Sequence, residues 1–413
     1  MGANGRGSAI GGARVIKRTA EARRSWRGPV LLSCGFRPFF LGAAAWAAIG
    51  IALWMPFYAG EIAIPTAFAP TDWHAHEMIY GYGSAVVAGF LLTAIPNWTG
   101  RLPVAGWPLA ALAALWAAGR AAVFASAAIG WQAAVAIDVA FLAVFAGVAA
   151  REVIAGGNRR NLRVVALVLG LAGANAGFHV EAATAGAAAV SARAGLAILV
   201  FMILLIGGRV VPSFTRNWLA KRGEAALPAP FGRVDGVVMA LSGIALGLWV
   251  VDPGQGVAGA ALLLAAAGNV WRLCRWRGWS TRSDRLVLVL HAGFLFAALG
   301  FAFAGASSLW PDLVPPAVGV HVWAVGAIGT MTLAIMTRAS LGHTGRALRA
   351  SGLTQLLYSA VAVAAAARGA MIFLPGAALL LMSIAAAAWI AAFGGFVAAY
   401  GPMLLEWPRR SAS

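Results

Sequence analysis

Apolar runs of about 20 residues follow one another along almost the whole chain, and short polar segments separate them. A run of this length matches the number of residues that an α-helix needs to cross the hydrocarbon core of a bilayer, about 20. The pattern therefore predicts an all-α polytopic membrane protein with about twelve transmembrane helices. The predicted spans are residues 37–57, 74–98, 107–126, 130–150, 162–183, 190–213, 234–251, 256–275, 286–306, 315–337, 353–374 and 377–402.

The composition agrees with this prediction, because charge is too scarce to cover a water-soluble protein. Hydrophobic residues make up 61% and charged residues 11% of the 413 residues, whereas soluble domains carry about 25% charged residues. The formal net charge of +18 does not indicate nucleic-acid binding, since all but three of the cations fall in one set of connections, where they can face anionic lipid headgroups. Cys34 and Cys274 lie beside basic segments and do not form the pattern of a disulfide framework.

The basic residues alternate along the connections and so predict the orientation. Every second connection is basic, and all but three of the 31 Lys and Arg residues fall on that side; the exceptions are Arg120, Arg193 and Arg368. The positive-inside rule assigns the basic side to the cytoplasm. Both termini are therefore expected in the cytoplasm.

We expect three segments along the chain. Residues 1–34 form a basic head rich in Gly, Ala and Ser, which predicts a disordered cytoplasmic segment. Residues 35–404 form a single transmembrane domain, and residues 405–413 form a short cytoplasmic tail. The sequence predicts no cleavable signal peptide, because a full-length span and further spans follow the head.

Ionisable residues inside the spans carry the candidate chemistry, since such a group costs about 2.5–3.5 kcal/mol near a helix centre on insertion scales. Four histidines and three carboxylates fall at a similar depth beneath the outer surface. They are His74, His76, His179 and His321, with Glu77, Asp138 and Glu181. Neutral imidazole is a ligand for iron and copper, and a nearby carboxylate can hold the second ring nitrogen. The common depth therefore predicts a haem or metal site.

Each histidine also has a plainer interpretation, because a single membrane histidine is as often a hydrogen-bonded packing residue as a ligand. His74 and His76 point about 200° apart on a helix, so they serve different sites, or one of them precedes the helix. His291 lies in the inner half of a span and is a candidate for an inner metal site. His343 lies in a basic cytoplasmic loop, either as a copper ligand or as a solvated residue.

The inner ends of the second, sixth and tenth spans share Thr and Arg, and those of the second and sixth also contain Pro. They run through Pro96 to Arg101, through Pro212 to Trp218, and from Met336 to Arg346. This echo at every fourth helix indicates three four-helix units, or three stop-transfer ends that share interfacial anchoring residues.

Four blocks of sequence together resemble the NnrS family over roughly residues 35–350. The blocks are Gly35-Phe36-Arg37-Pro38-Phe39-Phe40-Leu41; Trp73-His74-Ala75-His76-Glu77-Met78 through Pro96-Asn97-Trp98-Thr99-Gly100-Arg101; Gly207-Gly208-Arg209 with Phe214-Thr215-Arg216-Asn217-Trp218; and Gly326-Ala327-Ile328-Gly329-Thr330-Met331-Thr332 through Arg346. The resemblance implies twelve helices, bound haem and copper, and a bacterial cytoplasmic-membrane protein linked to denitrification and to defence against nitric oxide. It implies no particular reaction or electron donor, so whether the chain is an enzyme stays open.

A fold-level analogy extends this resemblance. Haem–copper oxidases also arrange twelve helices in three four-helix arcs and hold a low-spin haem between histidines of helices two and ten, as His76 or His74 and His321 would do here. The seventh span, however, has no histidine for their copper site. We therefore assign His76 and His321 as haem ligands, His74 and His179 as ligands of a second metal or haem, and Glu77, Asp138 and Glu181 as residues that support them.

The leading functional hypothesis is a haem and copper protein of the inner membrane. It would bind or process nitric oxide or nitrosyl-iron species and so limit nitrosative stress. The alternative is a multi-span transporter or channel that uses its intramembrane His and Asp residues as a proton or substrate path. A third class is a membrane scaffold without a cofactor.

Overall fold

The computed structural model describes residues 26–407. Twelve helices in this range are long and apolar enough to cross a membrane, and no β-strand occurs among the described residues. The helices are α1 (Phe36–Tyr58), α2 (Pro70–Thr99), α3 (Trp107–Phe124), α4 (Trp131–Ala155), α5 (Arg159–Ala185), α6 (Ala189–Ala220), α7 (Arg233–Val251), α8 (Gly256–Cys274), α9 (Arg285–Leu309), α10 (Ala317–His343), α11 (Gly352–Phe373) and α12 (Pro375–Leu405). The chain is an all-α polytopic membrane protein, and all twelve predicted spans are confirmed.

The helices form a closed bundle in which α2, α6 and α10 meet near the centre. Neighbours in sequence pack along the outside, and α12 closes the arrangement by packing against α1. The central helices contact one another, and α2 is buried over 78% of its membrane-spanning window, against 22% for α12. The predicted cytoplasmic termini and the grouping into three arcs stay predictions. The predicted head lies mostly outside the described residues, as does most of the predicted tail.

The three central helices share a feature that the sequence echo did not specify. Each contains a π-helical segment: Glu77–Gly83 in α2, Ile203–Gly207 in α6 and Val322–Gly329 in α10. A π segment widens the helix locally and is frequent at functional sites. His76 and His321 each stand directly before such a segment, so their side chains lie where the helix departs from α geometry.

Glycines let the helices of the centre approach closely. Side-chain carbons added at Gly319 and Gly329 would fall 2.7 Å from Ala304 of α9 and 2.7 Å from Trp389 of α12. Close packing of small residues is the usual means by which membrane helices associate. The glycines of α10 therefore serve helix packing here.

Candidate metal centre

Six polar side chains from α2, α3, α4 and α5 come together inside the bundle, and each is at most 5% exposed. We call this group the buried polar cluster; it consists of His76, Glu77, Arg120, Asp138, Asn175 and His179. Six buried polar groups in one place require mutual hydrogen bonds, because an unpaired polar group in an apolar medium is costly. Their contacts meet this requirement almost completely.

His76 lies at the centre of the cluster. Its Nδ1 is 3.1 Å from Glu77 Oε1, and its Nε2 is 2.9 Å from Asn175 Oδ1 and 3.1 Å from Asp138 Oδ2. Both ring nitrogens therefore face oxygen atoms that accept hydrogen bonds. Such a ring either carries protons on both nitrogens or presents Nε2 to a cation.

α5 contributes two side chains one helical turn apart. Asn175 Nδ2 donates to Asp138 Oδ2 at 2.9 Å, and His179 Nε2 lies 3.1 Å from the same oxygen. The spacing of four residues puts both on one face of the helix. His179 Nδ1 is buried and has no hydrogen-bond partner, so this imidazole is not fully satisfied by the protein.

Arg120 of α3 joins the two carboxylates. Its Nη1 donates to both oxygens of Glu77, at 2.8 and 2.7 Å, and its Nη2 donates to Asp138 Oδ1. Trp46 of α1 also donates to Glu77, from Nε1 at 2.5 Å. Glu77 is therefore held by α1 and α3 while it faces His76, which fixes the orientation of the His76 ring.

Two glycines leave room for this network. A side-chain carbon at Gly119 would lie 2.6 Å from Asp138 Oδ1, and one at Gly81 would lie 2.7 Å from Glu77 Oε2 and 2.7 Å from Arg120 Nη1. Neither position accepts a larger residue without displacing a charged group. The cluster therefore requires glycine at these two positions of α2 and α3.

Aromatic rings enclose His76 on the sides that the polar groups leave open. The ring centroids of Phe68, Tyr80 and Phe178 lie 5.1, 5.3 and 5.1 Å from that of His76. This apolar wall lowers the local dielectric and strengthens each electrostatic interaction inside it.

Three members of the cluster can hold a metal ion. One ligand atom each from His76, Asp138 and His179 lie within 4.8 Å of one another, and all three residues are buried. When both imidazoles are neutral, the two carboxylates and the one guanidinium give the cluster a net charge of −1. Either a proton on His76 or a cation between the three side chains compensates for this charge.

The structure separates His74 from His76, as expected for two residues that point about 200° apart. His74 stacks on Trp54 with ring centroids 4.3 Å apart, and its buried Nδ1 has no hydrogen-bond partner. His321 donates from Nδ1 to the Ala317 carbonyl at 2.7 Å, which leaves Nε2 as the ring's acceptor.

A small cavity adjoins His74. It has a volume of about 90 Å³ and lies between α1, α2, α6, α10, α11 and α12, with Arg368 and Tyr82 in its wall. Ligand pockets for molecules of drug size measure about 300–1,000 Å³. The cavity therefore suits a molecule of a few atoms.

The remaining predicted site residues lie elsewhere. Glu181 is not part of the buried polar cluster: its two oxygens accept from the backbone N–H groups of Val190 and Ser191, both at 2.8 Å, at the start of α6. His291 of α9 bonds through Nε2 to Thr215 Oγ1 at 2.8 Å. His343 ends α10 with its ring centroid 5.4 Å from that of Phe36. Among the described residues, the structure thus brings together His76, His179, Glu77 and Asp138, and it keeps His321 outside the contacts of His76.

Sequence reasoning did not select Arg120, Asn175 or Trp46 as site residues. Arg120 carried a signal, since it is one of three cations on the acidic side of the predicted topology. Asn175 also carried one, because it precedes His179 by one helical turn. Trp46 carries no comparable sequence signal.

The fold and the cluster define a multi-pass membrane protein with a buried site of histidine and carboxylate residues. A family model described as NnrS protein matches residues 30–408. The chain therefore belongs to the NnrS family. Comparison with curated proteins finds no match.

Proposed function

We propose that this protein binds a metal ion in the buried polar cluster and uses it to bind or process nitric oxide or nitrosyl-iron species in a bacterial cytoplasmic membrane, where it limits nitrosative damage. The link to nitric oxide comes from membership of the NnrS family. The observation that carries the proposal is the convergence of His76, Asp138 and His179. Imidazole is a good ligand for copper and iron.

The protein's own groups prepare this site for a cation. Glu77 accepts from His76 Nδ1 and thereby leaves Nε2 directed at Asp138 and Asn175, as carboxylates do behind metal-bound histidines. Arg120 offsets one of the two carboxylate charges, so a monovalent copper ion brings the cluster to neutrality, and a divalent copper or iron ion leaves it with one positive charge. A bound copper or iron ion would supply a coordination position for nitric oxide. The aromatic wall excludes water from that position.

The cavity beside His74 is smaller than a haem. The cavity beside His74 measures about 90 Å³, well below the size of cofactor pockets, and His76 is engaged in the cluster. The proposed function therefore does not require a haem beside His74. The haem pairing of His76 with His321 stays a prediction.

Metal analysis of the full-length protein in detergent tests the proposal. We expect about one copper or iron ion per chain, and loss of that ion in His179→Ala and in Asp138→Asn. His291→Ala is the matched control, because it removes a buried histidine outside the cluster. Nitric oxide should change the absorption or paramagnetic resonance spectrum of the metal-loaded protein and leave that of His179→Ala unchanged. A folded wild-type protein without metal would contradict the proposal.

One observation favours the alternative class, a proton-coupled transporter. Both ring nitrogens of His76 face acceptors, and a protonated His76 would neutralise the cluster as well as a cation does. In that case the purified protein is free of metal, and protonation of His76 is visible as imidazolium signals in NMR spectra of histidine-labelled protein. The same two measurements therefore separate the two functions.

A further inference from the structure

A large cavity lies at the basic end of the three central helices, far from the buried polar cluster along α2. It has a volume of about 700 Å³ and is walled by α1, α2, α5, α6 and α10 and by the loop after α10. This size matches pockets for whole small-molecule ligands, about 300–1,000 Å³. The cavity therefore holds more than a few water molecules.

The polar groups in the wall are cations and hydrogen-bonding residues. They are Arg209, Arg338, His343, Asn97, Ser213 and Thr93. No carboxylate lines the cavity among the described residues. The two guanidiniums give the wall a formal charge of +2 that no side chain of the wall compensates.

Arg338 is directed at this cavity without a bonding partner of its own. Its guanidinium lies 4.1 Å from the centroid of the Phe214 ring, and its buried Nη1 has no hydrogen-bond partner. An unpaired buried donor on a charged group is costly. Among the described residues, neither Arg209 nor Arg338 forms an ion pair with a carboxylate. Asp284 attracts Arg338 only beyond ion-pair distance, so an anion in the cavity would give both guanidiniums a direct partner.

Both arginines lie at about the same distance from the starts of their helices. Arg209 follows Ala189, the first residue of α6, by twenty residues, and Arg338 follows Ala317, the first of α10, by twenty-one. At 1.5 Å per residue each lies about 30 Å from the start of its helix, which is the thickness of the hydrocarbon core. This is the level of lipid phosphates, at the end of the bundle where the basic connections gather.

The opposite part of the cavity is apolar. Phe90, Ile206, Val210 and Ile335 line it, and the same four residues line an apolar cavity further along α2, α6 and α10. A ligand with its anionic group on the arginines therefore has a continuous apolar surface beside it. Guanidinium recognises phosphate through paired, charge-assisted hydrogen bonds.

We propose that this cavity binds an amphipathic phosphate: the phosphate group lies between Arg209 and Arg338, and the apolar body lies against Phe90, Ile206, Val210 and Ile335. The phosphate belongs to an anionic phospholipid of the inner leaflet or to a free phosphate ester. Basic pockets between helices on the cytoplasmic side of membrane proteins bind lipid headgroups in this way. The proposal does not rest on the metal centre.

The test is binding to the delipidated full-length protein in neutral detergent, measured by native mass spectrometry and by thermal unfolding. The probes are dioleoyl-phosphatidylglycerol, dodecyl phosphate and, for comparison, dioleoyl-phosphatidylcholine. We expect phosphatidylglycerol or dodecyl phosphate to bind and stabilise the protein, and Arg209→Gln and Arg338→Gln each to weaken binding about tenfold through loss of a charge-assisted hydrogen bond. Arg282→Gln, an exposed cation at the same end of the bundle, should leave binding unchanged.

The two arms separate the sources. If phosphatidylglycerol binds and dodecyl phosphate does not, the ligand is a membrane lipid. If dodecyl phosphate binds too, the site also accepts a free phosphate ester. Either result supports the phosphate site. Ala94→Phe fills the cavity and keeps both arginines, so it should also abolish binding. This variant tests the site even if an arginine variant fails to fold. Equal binding in the arginine variants and the wild type, or no binding of either anionic probe, overturns the proposal. A co-purified porphyrin retained through the same arginines overturns it too.

Discussion

At the level of single residues, Arg120 is central because it joins the two carboxylates of the buried polar cluster. It is 5% exposed and donates to both Glu77 and Asp138. Removing one partner of a buried ion pair leaves the other charges uncompensated, and the cost is about 3–5 kcal/mol. The sign of this effect does not depend on whether a proton or a metal completes the charge of the cluster.

We therefore expect Arg120→Met to lower the free energy of unfolding by about 3–5 kcal/mol, measured in detergent with increasing denaturant. Arg193→Met is the control: Arg193 also lies on the acidic side of the bundle, but it bonds a backbone carbonyl, that of Val250. The double variant Arg120→Met/Asp138→Asn should lose less stability than the two single losses added together. Strict additivity would show that the two side chains are not coupled.

Gly119 allows a second prediction, because a side-chain carbon there would collide with Asp138. Gly119→Ala should displace that carboxylate and lower both stability and metal content. The control is Gly173→Ala on α5, where a side-chain carbon meets no atom within 4 Å; alanine there should stabilise the helix by about 0.5–1 kcal/mol. Unchanged metal content in Gly119→Ala would mean that the carboxylate position is not set by this close contact.

The site was predictable from the sequence only in part. Depth along the predicted helices put seven residues at one level, and four of them, His76, Glu77, Asp138 and His179, meet in the structure, although the sequence analysis had assigned His76 and His179 to different sites. Depth alone does not give the direction in which a side chain points, so Glu181 was grouped with them although it bonds the backbone at the start of α6. The rotation of each helix depends on packing between distant segments, which one sequence does not display.

At the level of helices, the spans were predicted well because the cost of burying polar backbone in lipid makes long apolar runs helical. The π segments were not predicted. The apolar runs of α2, α6 and α10 continue through these segments without interruption, so the sequence pattern gives no sign of them. Hydrophobic pattern therefore locates a membrane helix without revealing where its geometry changes.

Arg37 allows a further prediction at the level of helices, since it links the first and last helices. It is 3% exposed, and its Nη1 donates to the Met403 and Leu404 carbonyls at 3.1 and 2.7 Å. These carbonyls end α12 and lack partners within the helix. Arg37→Met should lower the free energy of unfolding by about 1.5–3 kcal/mol, the contribution of a hydrogen bond to a charged group.

The loss of stability in Arg37→Met should be visible at the end of α12 as well as in the unfolding of the whole protein. Hydrogen exchange of the amides at the end of α12 should accelerate in Arg37→Met, while exchange in α8 should not change. Arg27→Met, which removes an exposed cation before α1, should affect neither. If the end of α12 exchanges no faster in Arg37→Met than in the wild type, the link between the two helices does not hold that end.

At the level of the whole molecule, three cavities follow α2, α6 and α10 from His74 to Arg338. The first and second share Leu199 and Ile328, and the second and third share Phe90, Ile206, Val210 and Ile335. The shared walls are apolar. The histidine end and the arginine end are thus separated by low-dielectric material, and each can bind its own ligand without direct charge interaction with the other.

The basic connections predict which end of the bundle faces the cytoplasm, and cysteine labelling tests this prediction. Cys274 is exposed at the end of α8, on the basic side, whereas Cys34 is buried. In intact cells a membrane-impermeant thiol reagent should leave Cys274 unmodified until the membrane is permeabilised. Asp312→Cys in a Cys274→Ser background places an exposed thiol between α9 and α10, and this thiol should react without permeabilisation. The opposite labelling pattern would reverse the membrane orientation, and it would place the arginine cavity at the outer leaflet and the buried polar cluster nearer the cytoplasm.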